Sequence, residues 1–170
     1  DFVVTRYDDP VPDGCQVGDC SLREAVIDAN VAADADRILL SAGTYRLTLP
    51  GSLEANSLTG DLNVLKDVEI LGAGAGMTFI DSAGLDDRTL RASASGLDFG
   101  LRRVSVVNSD KAGVSLGLGN HIIEDCEFRD NGAVLGHQGI QATLGHVLTL
   151  RRSTLSGNSS TGLTAVQGSA

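Results

Sequence analysis

Carboxylate side chains are the groups in this sequence that could do chemistry, and the candidates lie in two short stretches, "DSAGLDDR" at 81–88 and "EDCEFRD" at 124–130. Carboxylates clustered on one face of a protein can hold Ca²⁺ through their oxygens. A pair of them can also act as the acid and the base of glycoside hydrolysis. The candidates for a calcium or carbohydrate contact are therefore Asp81, Asp86, Asp87, Asp125, Glu127 and Asp130.

A structural interpretation competes with the chemical one at both stretches. In the first stretch, Gly84 can bend the chain while aspartate side chains bond to the backbone, as in a turn. In the second, alternation points Cys126 and Phe128 inward and leaves the charged residues as a solvated outer row. We favour the structural interpretation, so no catalytic residue, no metal ligand and no cofactor is predicted. The alternative is that these carboxylates bind Ca²⁺.

The composition indicates one acidic domain that is long enough to bury a core. The chain has 170 residues and a net charge of −9, with 22 acidic and 13 basic side chains. This balance disfavours nucleic acids and anionic membrane surfaces as partners. No apolar run approaches the roughly 20 residues that cross a bilayer, so no membrane insertion is predicted. Asp1 is not a natural first residue, so we expect an exported protein whose signal peptide has been removed.

One short segment, "CSLREAVIDAN" at 20–30, has the features of an amphipathic helix. Ser21 and Glu24 have the spacing of a capping box, in which each side chain accepts from the other residue's backbone N–H. Asn30 is expected to end the helix, because asparagine tolerates the left-handed conformation found there. Arg23, Glu24 and Asp28 are expected to face solvent. The apolar stripe consists of Leu22, Ala25, Val26 and Ala29.

The three cysteines indicate one disulfide and one free thiol. Cys15 and Cys20 enclose a short polar loop that contains a glycine, so they can close as a disulfide. A C-x4-C spacing without a second Cys or His pair nearby is a poor zinc site. We therefore predict a structural Cys15–Cys20 disulfide, which is typical of proteins outside the reducing cytoplasm. The remaining residue, Cys126, lies in an alternating stretch and is predicted to be buried and free.

Short apolar pieces separated by Gly, Asn and Asp follow the helix, and several of them share one pattern. "LRRVSVVNS", "IEDCEFRDN" and "LRRSTLSGN" begin at Leu101, Ile123 and Leu150, which gives spacings of 22 (123 minus 101) and 27 (150 minus 123). An earlier copy, "LKDVEILGA" from Leu65, fits the same frame. Repeats of this length built from strands predict an all-β solenoid, a parallel β-helix in which each repeat is one coil. The predicted neighbours in successive coils are Leu101 and Leu65, Phe128 and Val106, and, in a turn, Asn131 and Asn158.

A β-helix has open ends that need caps, because unpaired strand edges are templates for aggregation. Residues 1–35, with an N-terminal strand, the disulfide loop and the helix, are predicted to cap one end, and residues 36–170 to form the coils. "SSTGLTAVQGSA" at 159–170 is typical of a coil still in progress, so we expect an open C-terminal end. Either the chain is the N-terminal piece of a longer solenoid, or its last coil pairs with another subunit. "FVVTRY" at 2–7 is a strand without an assigned partner, and it could pair with the open end of another copy.

Three segments together, "CSLREAVIDAN", "ILLSAGTYRLTL" and "GDLNVLKDVEILGAGAGMTFIDSAGLDDR", resemble the N-terminal region of the CSLREA-type proteins. These are secreted or surface proteins of bacteria. The resemblance covers roughly residues 2–107. It implies a right-handed parallel β-helix of the pectin-lyase-like superfamily and an extracellular or cell-surface location. Fold analogy by itself does not assign chemistry.

The expected function is a structural or adhesive one at the cell surface, without enzymatic activity, and with end-to-end self-assembly as a further expectation. The expected partners are other copies of the chain, other surface proteins or a polysaccharide. The alternative is a calcium-assisted polysaccharide lyase or another carbohydrate-active enzyme. That alternative is implied by the resemblance and by the six acidic candidates.

Overall fold

Three parallel β-sheets and one short helix, α1 (Leu22–Val31), form the regular structure of the residues described by the computed structural model, which are 1–52, 54–134, 136–143 and 145–165. The first sheet consists of β1 (Phe2–Val3), β2 (Asp36–Leu39), β5 (Val68–Leu71), β8 (Leu97–Arg102), β11 (Gly119–Glu124) and β14 (His146–Arg151). The second consists of β3 (Gly43–Arg46), β6 (Thr78–Asp81), β9 (Ser105–Val107), β12 (Glu127–Arg129) and β15 (Thr154–Ser156). The third consists of β4 (Leu62–Val64), β7 (Leu90–Ala92), β10 (Val114–Leu116), β13 (Ile140–Ala142) and β16 (Leu163–Ala165).

The chain visits the three sheets in a fixed cyclic order. From β2 to β16 it enters the first, the second and the third sheet in turn, five times over the described residues. We call one visit to all three sheets a passage. Each strand pairs in parallel with the strand of the same sheet in the neighbouring passage. Matching positions of successive passages therefore lie side by side, about 4.8 Å apart.

Aliphatic side chains from all three sheets and the helix form one buried core. In the second sheet, Phe128 lies between Val106 and Leu155, so the predicted neighbours Phe128 and Val106 are confirmed. In the first sheet, Ile123 pairs with Leu101 on one side. The short aliphatic strands suit such a core, because β-branched and apolar side chains pack well between stacked strands.

The earliest copy of the repeat belongs to a different sheet from the one predicted. Ile70, not Leu65, pairs with Leu101, and Leu65 is 41 % exposed in the connection between β4 and β5. This passage takes 31 residues (101 minus 70) rather than the 36 (101 minus 65) of the sequence alignment. Because alternating apolar residues look alike in every sheet, the pattern alone does not tell which sheet a strand joins.

The predicted column of asparagines is present at the turn that follows the second sheet. The Asn131 Nδ2 donates to Asn158 Oδ1 at 3.1 Å and to the Val106 carbonyl at 3.0 Å. The Asn131 Oδ1 accepts from the Ser109 N–H at 3.1 Å, and Asn158 Nδ2 donates to the Phe128 carbonyl at 3.1 Å. The amides thus satisfy backbone groups that a turn would leave unpaired in the interior.

The helix begins as its sequence predicts but ends differently. Ser21 Oγ accepts from the Glu24 N–H at 3.3 Å, and the Glu24 carboxylate accepts from the Ser21 N–H at 2.7 Å. The prediction that Asn30 ends the helix in a left-handed conformation is wrong. Asn30 remains helical, and the helix ends at Val31 with Ala32 in an extended conformation. The reason is that the Asn30 side chain is bonded to the third sheet.

Residues 1–31 close the edges of the sheets at the N-terminal end of the stack. In the first sheet, β1 pairs with β2, so the strand that lacked a partner in the sequence has one within its own chain. At the second sheet, the Tyr7 carbonyl accepts from the Arg46 N–H at 3.0 Å. The Asp9 carboxylate accepts from the N–H groups of Thr48 and Leu49 at 2.7 and 3.0 Å.

The third sheet is closed at the same end by a helix side chain instead of a strand. The Asn30 Nδ2 donates to the Asn63 carbonyl at 2.7 Å, and its Oδ1 accepts from the Leu65 N–H at 2.8 Å. One asparagine therefore supplies the donor and the acceptor that a neighbouring strand would supply. Strand, loop and helix thus supply hydrogen-bond partners to edge groups of all three sheets at this end of the stack.

The predicted Cys15–Cys20 disulfide is confirmed, and Cys126 is a buried free thiol. The Cys20 carbonyl accepts from the N–H groups of Thr5 and Arg6, at 2.9 and 3.1 Å, which ties the disulfide loop to the segment after β1. Burial raises the pKa of the Cys126 thiol to about 11. At neutral pH this thiol is therefore protonated, the form that is a poor nucleophile.

At the opposite end, β14, β15 and β16 are the outermost strands of the three sheets over the described residues. The predicted unfinished coil at 159–170 extends into residues 166–170, which lie outside the described residues. Among the residues that the structure describes, no helix is long and apolar enough to cross a membrane.

Candidate functional site

The six predicted carboxylates do not form one site. Asp125 and Glu127 share a cleft at the corner between the first and second sheets. Asp87 belongs to a separate buried cluster before β7. Asp81 is the last residue of β6, and two lie in bends of the chain with a left-handed backbone: Asp86 and Asp130.

The corner cleft has a volume of about 450 Å³ and is lined by both acidic and basic side chains. Arg103, Asp125 and Arg152 occupy the same corner in three successive passages, each with a left-handed backbone, at φ values of 59°, 54° and 46°. The recurrence shows that the tight corner requires this conformation. The left-handed backbone of these three residues is therefore a property of the corner. It does not mark a reactive residue, as backbone strain at a single position would.

Arginines engage the acidic groups of the cleft. Arg152 binds Asp125 through two nitrogens at 2.6 and 2.9 Å, and this hydrogen bonding lowers the pKa of Asp125. Glu127 accepts from Ser105 Oγ at 2.9 Å. Arg103, the other basic group of the cleft, donates to the Ala73 carbonyl at 2.8 Å. The Arg152–Asp125 pair is exposed, so it stabilises the fold only slightly.

A second cluster joins two buried carboxylates through one arginine. Arg88 Nη1 lies 3.3 Å from Asp61 Oδ2 and 3.6 Å from Asp87 Oδ1, and Lys111 Nζ lies 3.3 Å from Asp87 Oδ1. Burial, and after it the charge of Asp87, raises the pKa of Asp61. Asp61 could not be predicted from the sequence, because one aspartate before a short apolar strand carries no spacing signal.

The other carboxylates make local contacts. Asp81 accepts from Asn108 Nδ2 at 3.1 Å and from the backbone of its own turn at 3.2 Å. Asp86 has a left-handed backbone, and its N–H donates to Asp110 Oδ2 at 2.6 Å. Asp130 pairs with its neighbour Arg129 at 2.8 Å, outside the cleft. These geometries are typical of turns.

A buried ion pair that the sequence analysis did not predict lies under the N-terminal cap. The expectation that Arg23 and Glu24 face solvent is wrong, since their exposed fractions are 0 and 1 %. Arg23 Nε and Nη2 lie 2.7 and 3.0 Å from the two oxygens of Asp9. The guanidinium also donates to the carbonyls of Ser57 and Gly60, each at 2.9 Å. Every acceptor named here belongs to a loop, which explains why helical periodicity gave no sign of it.

A groove of about 360 Å³ lies on the outer face of the third sheet. Arg91, Ser115 and Gln141 are in register across three neighbouring strands there. Arg91 forms no ion pair within the described ranges. Over those ranges the structure also brings no three His, Cys, Asp or Glu side chains together in a geometry that could hold a metal ion.

Comparison of the chain with protein-family models, with curated proteins and with solved structures finds no significant match.

Proposed function

We propose that the chain is part of a right-handed parallel β-helix that serves as an extracellular or cell-surface structural or adhesive rod. In this proposal each passage through the three sheets is one coil. The observation that carries it is the asymmetry of the stack. Residues 1–31 bond to edge groups of the three sheets at one end, whereas β14, β15 and β16 are the outer strands at the other end of the described residues.

The asymmetry favours growth in one direction only. A parallel edge strand offers unpaired N–H and C=O groups, which accept a further strand. At the N-terminal end the corresponding groups are already bonded to β1, to Tyr7, to Asp9 and to Asn30. We therefore propose that copies associate through the edge formed by β14, β15 and β16, and that the cap stops association at the other end.

Light scattering across protein concentration, with electron microscopy of the same samples, tests this proposal. The proposal predicts a concentration-dependent doubling of mass that then stops, because each copy has one closed end. Lysines on the outer strand, Thr154→Lys with Ser156→Lys, should keep the chain monomeric, since charged edges resist strand addition. The matched control places the same charges at the closed end, Thr44→Lys with Thr48→Lys, and should still double.

Two results would contradict the rod. One is a chain that is monomeric at every concentration, and the other is an endless fibre, which a closed end does not allow. Equal loss of association in both lysine variants would show that added charge, rather than the position of the edge, is responsible.

A carbohydrate-active enzyme is the second candidate, and the groove on the third sheet favours it. Arg91, which lacks an ion-pair partner within the described residues, stands there in register with a hydroxyl and an amide that could bond to a sugar. Incubation with polygalacturonate and Ca²⁺, followed by ultraviolet absorbance of unsaturated products, tests this activity. Product release that Arg91→Ala abolishes and chelation prevents would support a lyase in place of the rod.

A further inference from the structure

An amine and a carboxyl group that can react with each other meet in the buried cluster before the third sheet. Asp87 lies shortly before β7 and Lys111 shortly before β10, and these two strands pair in parallel. Lys111 Nζ lies 3.3 Å from Asp87 Oδ1, and the two side chains are 27 and 4 % exposed. The pair therefore joins two successive passages and is largely shielded from water.

The backbone holds these two residues side by side. The Lys111 N–H donates to the Asp87 carbonyl at 3.2 Å, and Ser109 Oγ donates to the same carbonyl at 3.2 Å. The Asp87 carboxyl group is packed against the opposite loop, since a Cβ atom on Gly60 would stand 3.1 Å from its Oδ2 atom. Groups fixed in contact react as if at a very high local concentration, because the entropy of bringing them together is already lost.

The charges of the cluster favour loss of one cation together with one anion. Arg88 Nη1 lies between the two buried carboxylates, 3.3 Å from Asp61 Oδ2 and 3.6 Å from Asp87 Oδ1. Ions held away from water carry a desolvation penalty, which a neutral amide does not. Conversion of Lys111 and Asp87 into an amide would leave Arg88 with Asp61, one cation for one carboxylate.

We propose that Lys111 Nζ and the side-chain carboxyl carbon of Asp87 form an amide bond, which links two successive passages covalently. One proton moves from the lysine ammonium group to the carboxylate, and the nitrogen then bonds to the carboxyl carbon. A second proton passes from the nitrogen to the hydroxyl group, and the carbon–oxygen bond breaks to release water, so no other reactant is consumed. Arg88 lies where its charge stabilises the negative oxygen of the intermediate.

Mass spectrometry of the full chain, folded at neutral pH and then reduced and unfolded, tests the proposal. We expect a mass lower than that of the sequence by one water. Trypsin should release a branched peptide in which the segment containing Asp87 is joined to Lys111, and its fragment ions locate the bond. The full sequence mass, with an unbranched peptide that ends at Lys111, would overturn the proposal. The bond forms within one chain, so this result does not depend on assembly into a rod.

The two lysines of the chain, Lys66 and Lys111, provide a matched pair of variants. Lys111→Arg keeps a cation beside Asp87, but a guanidinium group stays protonated and does not condense, so this variant should have its full sequence mass. Lys66→Arg should still lack one water. A cyclic imide at an aspartate also loses one water, but it would persist in Lys111→Arg and would give no branched peptide. Loss of water in Lys111→Arg, or a full mass in Lys66→Arg, would therefore overturn the assignment.

Discussion

Replacement of Arg23 by methionine should destabilise the N-terminal cap more than any loss of a surface charge pair. The Arg23 side chain is fully buried, and its partner Asp9 has a side-chain exposure of 1 %. The guanidinium makes two contacts with that carboxylate, at 2.7 and 3.0 Å, and two with backbone carbonyls, each at 2.9 Å. Methionine has a similar length but offers no donor.

The expected loss in free energy of unfolding follows from the groups that the substitution leaves without partners. Asp9 would remain as a buried carboxylate without its cation, and the carbonyls of Ser57 and Gly60 would lose a donor. Removing one partner of a buried ion pair costs about 3–5 kcal/mol. The N–H groups of Thr48 and Leu49 still stabilise Asp9, so we expect about 3 kcal/mol. For a chain of this size that corresponds to a fall in Tm of about 6–12 °C.

Urea unfolding followed by circular dichroism gives the free energy directly. The control is Arg6→Met, which removes an arginine that pairs with Asp8 and Asp19 at the surface and should cost much less. The double variant Asp9→Leu with Arg23→Met removes both charges, so it should be less destabilised than the sum of the single variants. A loss for Arg23→Met no larger than that for Arg6→Met would refute the reasoning.

Three further perturbations probe other parts of the stack. Cys15→Ser with Cys20→Ser should lower the free energy of unfolding by about 2 kcal/mol, a small value because the closed loop is short, measured by urea unfolding. Asn131→Ala should cost about 2–3 kcal/mol in the same assay, because it leaves buried backbone groups unpaired. Asp61 holds its proton above its ordinary pKa of 3.8, so stability should fall as pH rises from that value, and Asp61→Asn should flatten this part of the profile.

Each of these predictions has a contradicting result. Equal stability with and without reducing agent would show that the disulfide does not hold the cap. A neutral Asn131→Ala variant would show that the asparagine column does not support the turn. The folded protein binds more protons at Asp61 than the unfolded chain does, so this group should make stability fall as pH rises above 3.8. A rise in stability caused by Asp61 over that range would contradict the prediction.

Local patterns in the sequence predicted the elements whose determinants lie close together in the chain. The capping box of Ser21 and Glu24 needs only residues three apart, and the Cys15–Cys20 disulfide only a short loop. The side-by-side placement of Val106 and Phe128 followed from the pattern shared by the repeats that begin at Leu101 and Ile123. In these cases the sequence spacing directly determines which groups can meet.

Contacts that depend on irregular loops could not be predicted in this way. The partner of Arg23 is 14 residues upstream in a segment without periodicity, and the carbonyls that it contacts lie more than thirty residues downstream. Leu65 was misplaced because the connections around β4 and β5 differ in length from later ones. Asp61 shares Arg88 with Asp87 only because consecutive passages stack at the third sheet.

Cysteine cross-linking across two strands of the first sheet tests most directly whether successive passages stack in register. In a chain with Cys126→Ala, the pair Ile122→Cys and Thr149→Cys occupies paired outward positions of β11 and β14, so its Cα atoms should lie about 4.8 Å apart, within reach of a disulfide. The pair Ile122→Cys and Arg151→Cys lies on the same face two residues further along, about 8 Å apart and out of reach. The account predicts, by mass spectrometry of unreduced peptides, a disulfide in the first pair and none in the second. Equal oxidation of both pairs, or oxidation of the second pair alone, would contradict it.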